Sequence, residues 1–284
     1  MELHTLGVRS GYTQADVNEF ARALTGWNIV GLRNPNAQNN RRNQAMEIDA
    51  NGFAFRPMLH EPGVRDILGH SYNQQGKTQA EAILRDFASS PATATHIATK
   101  LLRHFVSDTP PEPLVQRLAQ VFLNAGGNLS QVYRALIDAP ESWQAKTTKF
   151  KTPWEWAISS LRGLSVQNLS NSTIARQNTA KQSLRNINIA QIMNQLGQPV
   201  WKPGSPAGYD DIAESWAAPN ALLRRVELAQ RLANPLGDRI DARMLSEQLL
   251  MGVISTQTQT AITRSENAAT GLALLLVSPD FLRR

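Results

Sequence analysis

The best candidate for acid–base chemistry is a histidine followed by a glutamate at a predicted chain reversal. In the segment His60-Glu61-Pro62-Gly63, the proline ring fixes φ and the glycine permits the turn, so both side chains project from a constrained backbone. An imidazole beside a carboxylate can transfer a proton or help to bind a metal ion. The same side chains could instead hydrogen-bond backbone groups of the turn, which is a purely structural role.

An arginine near the end of a predicted helix is the natural partner for this glutamate. The planar guanidinium of Arg22 favours two-pronged binding of a carboxylate. We therefore predict a catalytic cluster of Arg22, His60 and Glu61 at the mouth of a cleft. The rigid crossover Ser205-Pro206-Ala207-Gly208-Tyr209 would close part of that cleft. A structural ion pair that pins the turn to the helices is the competing interpretation.

Four further residues are candidates for ligand binding: Trp27, Lys100, His104 and Tyr209. Lys100 lies four residues from both His96 and His104, so a helix would place three basic groups on one face. That face could bind a phosphate or a carboxylate, or it could simply be the solvated side of an amphipathic helix. Trp27 is a large amphipathic anchor at a helix end, and core packing is its alternative role.

Several classes of active site are excluded by the sequence. The chain has no cysteine, which rules out disulfides, thiolate metal sites and a cysteine nucleophile. It has no His-x-x-x-His pair, glycine-rich phosphate loop, nucleophile elbow or dinucleotide-binding fingerprint. No set of metal ligands can be assigned, and the cofactor remains unknown.

The basic charge is concentrated in one part of the chain. Between Trp143 and Ser205 there are eight lysines and arginines against one acid, Glu155, and the whole chain has a net charge of +6. The aromatic residues Trp154 and Trp156 lie in a predicted helix and do not alternate with the basic residues, as they would in a groove that follows phosphates. We therefore expect a solvated basic loop and no nucleic-acid partner.

The elements that must position these residues are mostly helices. Capping signals at Thr13 to Asp16, Thr78 to Glu81 and Thr152 to Glu155 each precede apolar residues at helical spacing. Two similar segments, at Pro140-Glu141 and Pro279-Asp280, predict that one helix ends and another begins.

The pattern predicts a mainly α protein with roughly ten helices and a small β-hairpin at about residues 53–72, where Phe53 and Phe55 alternate with other residues before a turn. Residues 33–51 and 166–186 are polar, and we predict a loop for the first and a connection for the second. No linker divides the chain decisively, so residues 1–284 are predicted to form a single helical domain.

No apolar segment approaches the ~20 residues that span a bilayer, and no leader of basic and then apolar residues is visible. A transmembrane segment is therefore not expected, and either the cytoplasm or a periplasm fits the sequence.

Taken together, these segments resemble a bacterial family known as domain of unknown function 1800. The similarity follows the family's order along the chain through several short segments: Glu2 to Val8, Ala21 to Trp27, Phe55 to Gly69, Pro91 to Val106, Lys151-Thr152-Pro153, Ser205 to Tyr209 with Trp216, and Ser278 to Phe281. Glu61 stands where the family pattern usually has Asp, and Arg65 where it usually has Lys.

The resemblance implies that the chain is the C-terminal part of a longer protein, because family members typically have more residues before the first matched helix. Any export signal would then precede this chain. The resemblance implies no reaction, since no activity is assigned to the family. Two functions therefore stay open: a binding or scaffold protein that acts through a protein or polymer partner, and a hydrolase or metal-dependent enzyme with a site around Arg22, His60 and Glu61.

Overall fold

A computed structural model of the chain describes residues 1–29, 49, 51–143, 148–165, 188–237 and 239–284. The predicted loop at 33–51 lies almost wholly outside the described residues, and so does the predicted connection at 166–186. The described residues form twelve α-helices and two small two-stranded antiparallel sheets, which confirms the mainly α fold. No helix in this part of the chain is both long and apolar enough to cross a bilayer.

Contacts within the chain define two compact units. Unit 1 comprises Met1–Lys100 and Glu112–Ile137, and unit 2 comprises Leu101–Pro111 and Asp138–Arg284. The single domain expected from the sequence stays a prediction.

Unit 1 combines five helices with both sheets. In chain order its elements are α1 Gln14–Ala23, β1 Trp27–Ile29, β2 Phe53–Phe55, β3 Arg65–Ile67, β4 His70–Tyr72, α2 Lys77–Ser89, α3 Pro91–Phe105, α4 Glu112–Asn124 and α5 Leu129–Asp138, with the last residues of α3 and α5 belonging to unit 2. The predicted capping box at Thr13 is present, since its hydroxyl accepts from the backbone N–H of Asp16 and the Asp16 carboxylate accepts from that of Thr13.

A small hairpin within 53–72 is confirmed, but it comprises only residues 65–72, and its turn is not the predicted reversal at residues 61–63. Strands β3 and β4 pair across a two-residue turn, in which Leu68 and Gly69 both have positive φ, as a type I′ turn requires. The predicted strand at Phe53–Phe55 pairs instead with β1, which follows the end of α1. Gly26, with φ of 85°, reverses the chain there, and its carbonyl accepts from the Arg56 N–H at 2.8 Å.

A buried core joins these strands to the helices of unit 1. Phe20 of α1 and Phe87 of α2 pack edge to face with ring centroids 5.2 Å apart. The buried amide of Gln79 donates to the carbonyls of Gly63 and Tyr72 at 2.8 and 2.9 Å. This amide ties the segment that carries the predicted site to α2.

Unit 2 is built from seven further helices. They are α6 Pro153–Gly163, α7 Ile189–Gln195, α8 Ala213–Trp216, α9 Pro219–Ala233, α10 Ala242–Leu250, α11 Thr256–Thr263 and α12 Ala268–Leu276. The predicted capping box at Thr152 begins α6. The apolar helix α12 supplies the fully buried Leu272, Leu275 and Leu276, and the Trp156 indole donates to the Leu276 carbonyl at 2.8 Å.

Two segments of unit 2 that are distant in sequence pair antiparallel. Phe150 and Arg283 form an isolated β-bridge, the Lys151 N–H donates to the Leu282 carbonyl at 2.8 Å, and the Arg284 N–H donates to the Lys149 carbonyl at 2.9 Å. This pairing fixes the backbone of the buried Lys149 and the partly buried Lys151, on either side of Phe150.

Candidate functional site

The structure brings Arg22, His60 and Glu61 together at one end of α1. The Arg22 Nε lies 3.6 Å from Glu61 Oε1. Thr25 connects His60 to this cluster. Its carbonyl oxygen lies 3.0 Å from His60 Nδ1, and its hydroxyl accepts from the Glu61 N–H at 2.8 Å. The catalytic role assigned to the three residues stays a prediction.

The position of His60 fixes the form of its neutral imidazole. A carbonyl oxygen can only accept, so Nδ1 carries the proton and Nε2 keeps a lone pair. Gly26 allows this close approach, because a Cβ there would lie 2.8 Å from the Arg56 carbonyl and 3.2 Å from His60 Cβ. A histidine held in this way can act as a base or bind a metal ion through Nε2.

A second arginine, which the sequence marked only as a departure from the family pattern, holds the turn from inside. Arg65 is buried, and its Nη2 donates to the carbonyls of Glu61 and Pro62 at 2.7 and 3.1 Å. Its Nη1 lies 3.4 Å from Glu19 Oε2, while the other oxygen of Glu19 lies 2.7 Å from Arg22 Nη1. Two guanidinium groups therefore face two carboxylates, and the charges compensate one another.

Exposure separates the two arginines of this cluster. The side chains of Arg22 and Glu61 are each 51% exposed, whereas Arg65 is almost completely enclosed. The exposed edge is open to a ligand, and the enclosed edge supports the backbone of the turn. Closure of the cleft by the crossover that contains Tyr209 would involve residues of both units, and it stays a prediction.

Trp27 and Lys100 occupy positions that fit packing and backbone contacts. Trp27 lies in β1, contacts the Phe53 ring at 4.9 Å between centroids, and packs against the core of unit 1. The Lys100 Nζ lies 3.5 Å from the Leu3 carbonyl oxygen, and His96 Nε2 lies 3.2 Å from the same oxygen. Two of the three basic groups on the predicted face thus lie near an acceptor within the chain, and binding by Trp27 and Lys100 stays a prediction.

His104 belongs to an ionic network of unit 2 that periodicity did not reveal. Its Nδ1 lies 2.6 Å from Asp211 Oδ2. The Lys149 Nζ lies 2.5 Å from Asp108 Oδ1, 3.3 Å from Asp211 Oδ1 and 2.7 Å from the Asp211 carbonyl oxygen. Asp108 also accepts from the Ala213 N–H at 2.8 Å. Asp211 orients the half-exposed imidazole, and Lys149, 1% exposed, pairs with both aspartates.

Tyr209 lines a small apolar cleft of about 260 Å³ within unit 2, together with Trp154, Met193, Gln198, Pro199 and Val200. We call it the aromatic cleft. The Tyr209 hydroxyl donates to the Pro199 carbonyl, and Gln198 Oε1 accepts from the Trp154 N–H at 3.0 Å. These bonds tie the loop after α7 to Tyr209 and to the first turn of α6, so the cleft has fixed walls.

Trp201 follows the aromatic cleft in an uncommon backbone conformation. It has a φ of 58° in a turn closed by the Lys202 N–H and the Pro199 carbonyl, 3.3 Å apart. This conformation resembles a type II turn, in which the residue of positive φ is usually glycine or asparagine. The side chain is 95% exposed. Nothing in the sequence pattern marks this turn, and only the backbone reveals it.

Within the described residues, no group of three or more histidine, aspartate and glutamate side chains is placed to hold a metal ion.

Comparison with known proteins identifies a family and no individual relative. No curated protein and no solved structure matches the chain. A family model described as "Protein of unknown function (DUF1800)" matches residues 1–283. The resemblance drawn from the short segments is thereby confirmed, and the chain belongs to the DUF1800 family.

Proposed function

We propose that the protein is a binding protein whose aromatic cleft holds an extended, proline-rich segment of a protein partner. The observation that carries this proposal is Trp201, a nearly fully exposed tryptophan in a left-handed backbone conformation at the end of the cleft wall. The other features of the cleft support a protein partner over other polymers.

Trp201 is an unfavourable residue for the free protein in two ways. A bulky side chain at positive φ costs on the order of 1–2 kcal/mol. Its ring also gains nothing from burial, although a buried aromatic side chain contributes about 1.5–3 kcal/mol. Both facts fit a residue whose ring becomes buried only when a partner binds.

The neighbouring side chains extend the same surface. Trp154 is 47% exposed, and Val200 is exposed beside Trp201. Tryptophan, tyrosine and methionine are enriched at protein interfaces, where large rigid rings bury much area at little entropic cost. Trp154 and Val200 line the aromatic cleft with Tyr209 and Met193, and Trp201 directly follows Val200 in the chain.

The polar groups of the aromatic cleft favour an extended peptide. The Tyr209 hydroxyl and the Gln198 carbonyl oxygen already have partners within the chain. The indole N–H groups of Trp154 and Trp201 have none in the part of the chain that the structure describes. A polyproline II segment exposes carbonyl groups without internal hydrogen bonds, so it matches a surface of apolar rings and single N–H donors. A glycan would require several converging polar side chains.

The test measures binding of a fluorescein-labelled polyproline peptide by anisotropy. We expect saturable binding that Trp154→Ala and Trp201→Asn each weaken by about tenfold or more, as for an interface hot spot. Because asparagine tolerates positive φ, Trp201→Asn should leave the free energy of unfolding unchanged or raise it. Trp143→Ala, at an exposed tryptophan outside the cleft, is the matched control and should bind normally.

Two outcomes would contradict this function. The first is an absence of saturable binding to polyproline and to other apolar extended peptides. The second is binding of soluble oligosaccharides that depends on Trp154 and Trp201, which would make the partner a glycan.

An enzymatic function at Arg22, His60 and Glu61 is a second proposal, favoured by the Nε2 lone pair that the His60–Thr25 contact leaves. Elemental analysis of the purified protein tests its metal-dependent form, which requires close to one equivalent of a transition metal lost in His60→Ala. A metal content far below one equivalent would remove that form. For a metal-free hydrolase, a panel of ester, amide and glycoside substrates must show turnover that His60→Ala abolishes.

A further inference from the structure

A second cleft in unit 2, of about 390 Å³, contains an unusual lysine. Its lining includes Lys151, Arg162, Leu250, Asp280, Phe281 and Arg283. We call it the lysine cleft. It shares no lining residue with the aromatic cleft, so chemistry in the lysine cleft does not depend on the proposed binding function.

The Lys151 amine lies against an aromatic ring. Its Nζ is 4.0 Å from the centroid of the buried Phe281 ring, and within the described residues it forms no ion pair. The nearby Glu155 is engaged elsewhere, since one oxygen accepts from the Thr152 N–H at 2.9 Å and the other lies 2.6 Å from Arg284 Nε. The amine is thus largely removed from water without a carboxylate to neutralise it.

The backbone of Lys151 is held from both sides. Its N–H donates to Leu282, and its carbonyl accepts from the buried Arg225 Nη2 at 2.8 Å. Desolvation is the main reason why the pKa of Lys151 falls from 10.5 to about 8; Arg225 and Arg284 lower it further, and Glu155 opposes them. About a tenth of this side chain is therefore the free amine at pH 7, against less than about a thousandth for an ordinary lysine.

The charges at the lysine cleft favour an anion. Arg162 and Arg283 line it with Lys151, and Asp280 is the one carboxylate among the described lining residues. The Asp280 Oδ2 accepts from the Ser255 N–H and hydroxyl at 3.1 and 2.8 Å. Burial alone would raise the pKa of Asp280, but hydrogen bonds from Thr258 and Ser255 outweigh it and hold the pKa below its ordinary value. Asp280 is thus committed to Ser255, and the two arginines exceed it in charge even when Lys151 is neutral.

We propose that Lys151 is a nucleophile that condenses with an anionic aldehyde or 2-oxo acid bound in the lysine cleft. The neutral amine adds to the carbonyl carbon and forms a C–N bond. Proton transfers then convert the carbonyl oxygen to water, which leaves as the C=N bond of the imine forms, and no oxidant or reductant is consumed. Arg162 and Arg283 bind the carboxylate, while Phe281 and Leu250 limit access of water to the imine.

The test traps the imine on the unmodified protein. Glyoxylate and cyanoborohydride are added at about pH 7.5, and alkylation of each lysine is followed by peptide mass spectrometry. Free-amine fractions at that pH differ roughly a hundredfold between a pKa of about 8 and an ordinary lysine, so Lys151 should react far faster than the exposed Lys100 and Lys202. The rate at Lys151 should reach half its maximum near pH 8.

Two comparisons separate a site from a merely reactive amine. For each aldehyde, the rate at Lys151 is divided by the rate at Lys202. This ratio should be at least about tenfold lower for propionaldehyde, which lacks the carboxylate, than for glyoxylate. Arg162→Ala should reduce that preference for glyoxylate. Lys151→Arg keeps the charge and should abolish the fast reaction. Labelling of Lys151 no faster than that of Lys202 would overturn the nucleophile, and equal rates with both aldehydes would overturn the anionic substrate.

Discussion

Lys149 and Lys151 are two residues apart and both largely removed from water, yet their surroundings are opposite. The ammonium of Lys149 meets Asp108, Asp211 and a backbone carbonyl. The amine of Lys151 meets the ring of Phe281 and an open cleft. Burial alone therefore does not determine the state of a cation: Lys149 has matched acceptors, whereas Lys151 lacks them and has a lowered pKa.

Unit 1 contains the intermediate cases. Arg65 is buried like Lys149 but donates mostly to backbone carbonyls, and Arg22 has carboxylate partners but is half exposed. For these four cations, the change in the free energy of unfolding on substitution should depend on both burial and pairing. One substitution at each of them tests this dependence, from the largest expected effect to the smallest.

Lys149→Met should destabilise the protein most. Removal of the ammonium leaves Asp108 and Asp211 without their buried countercharge, and breaking a buried pair costs about 3–5 kcal/mol. Urea denaturation at neutral pH measures the loss. Lys202→Met, at an exposed lysine, is the control and should change the free energy of unfolding by less than about 0.5 kcal/mol. A loss below about 1 kcal/mol for Lys149→Met would remove the distinction between the lysines.

Lys151→Met should change the free energy of unfolding in a pH-dependent manner. At neutral pH its effect should be opposite in sign to that of Lys149→Met. Because the folded-state pKa of Lys151 is lowered to about 8, the unfolded chain binds more protons than the folded one between about pH 8 and 10.5. The wild type should therefore gain stability relative to the variant over this range, on the order of 2–3 kcal/mol. Below pH 8 the variant should be the more stable protein. Parallel stability curves for the two proteins would show that the amine titrates normally.

Arg65→Lys should cost about 1–3 kcal/mol, because a single ammonium cannot reach Glu61, Pro62 and Glu19 as the guanidinium fork does. Thermal unfolding followed by circular dichroism measures the change. A neutral result would show that the turn at His60 is held by other contacts, such as those of Gln79 with Gly63 and Tyr72.

Arg22→Ala should have the smallest effect, below about 1 kcal/mol, because its ion pairs with Glu19 and Glu61 are exposed and screened by salt. This loss of stability should be smaller still in high salt. A salt-independent loss above about 2 kcal/mol would make Arg22 a structural residue and weaken the proposal that it serves a ligand.

The parts of the fold that depend on local chemistry were predictable from the sequence. The capping boxes at Thr13 and Thr152 involve residues three apart, and both begin helices where predicted. The signal at Thr78 was wrong in detail, because α2 begins at Lys77 after Gly76 and the Thr78 hydroxyl donates to Gln75. Pro140 begins one 3₁₀ turn and Pro279 a series of turns, so the repeated pattern marks chain reversals and not new α-helices.

Partners distant in sequence could not be predicted from periodicity. Alternation at Phe53 and Phe55 indicates a strand but does not specify that Trp27–Ile29 pairs with it. The proximity of Arg22, His60 and Glu61 was predicted from turn chemistry and charge, and not from periodicity. Asp211 and Asp108, which hold His104 and Lys149, lie in loops whose path depends on the whole of unit 2.

The pairing of Phe150 with Arg283 has a consequence for the order of folding during synthesis. It joins positions 133 residues apart, 283 minus 150, so the ends of a very long loop must meet before unit 2 is complete. All residues of unit 1 have been made by Ile137, whereas residue 284 follows 147 positions later. At ribosomal rates this interval lasts roughly 7–30 s, during which unit 1 can fold while the apolar helices of unit 2 still await their last segment. Nascent unit 2 is therefore the part of the chain most exposed to chaperones and to aggregation.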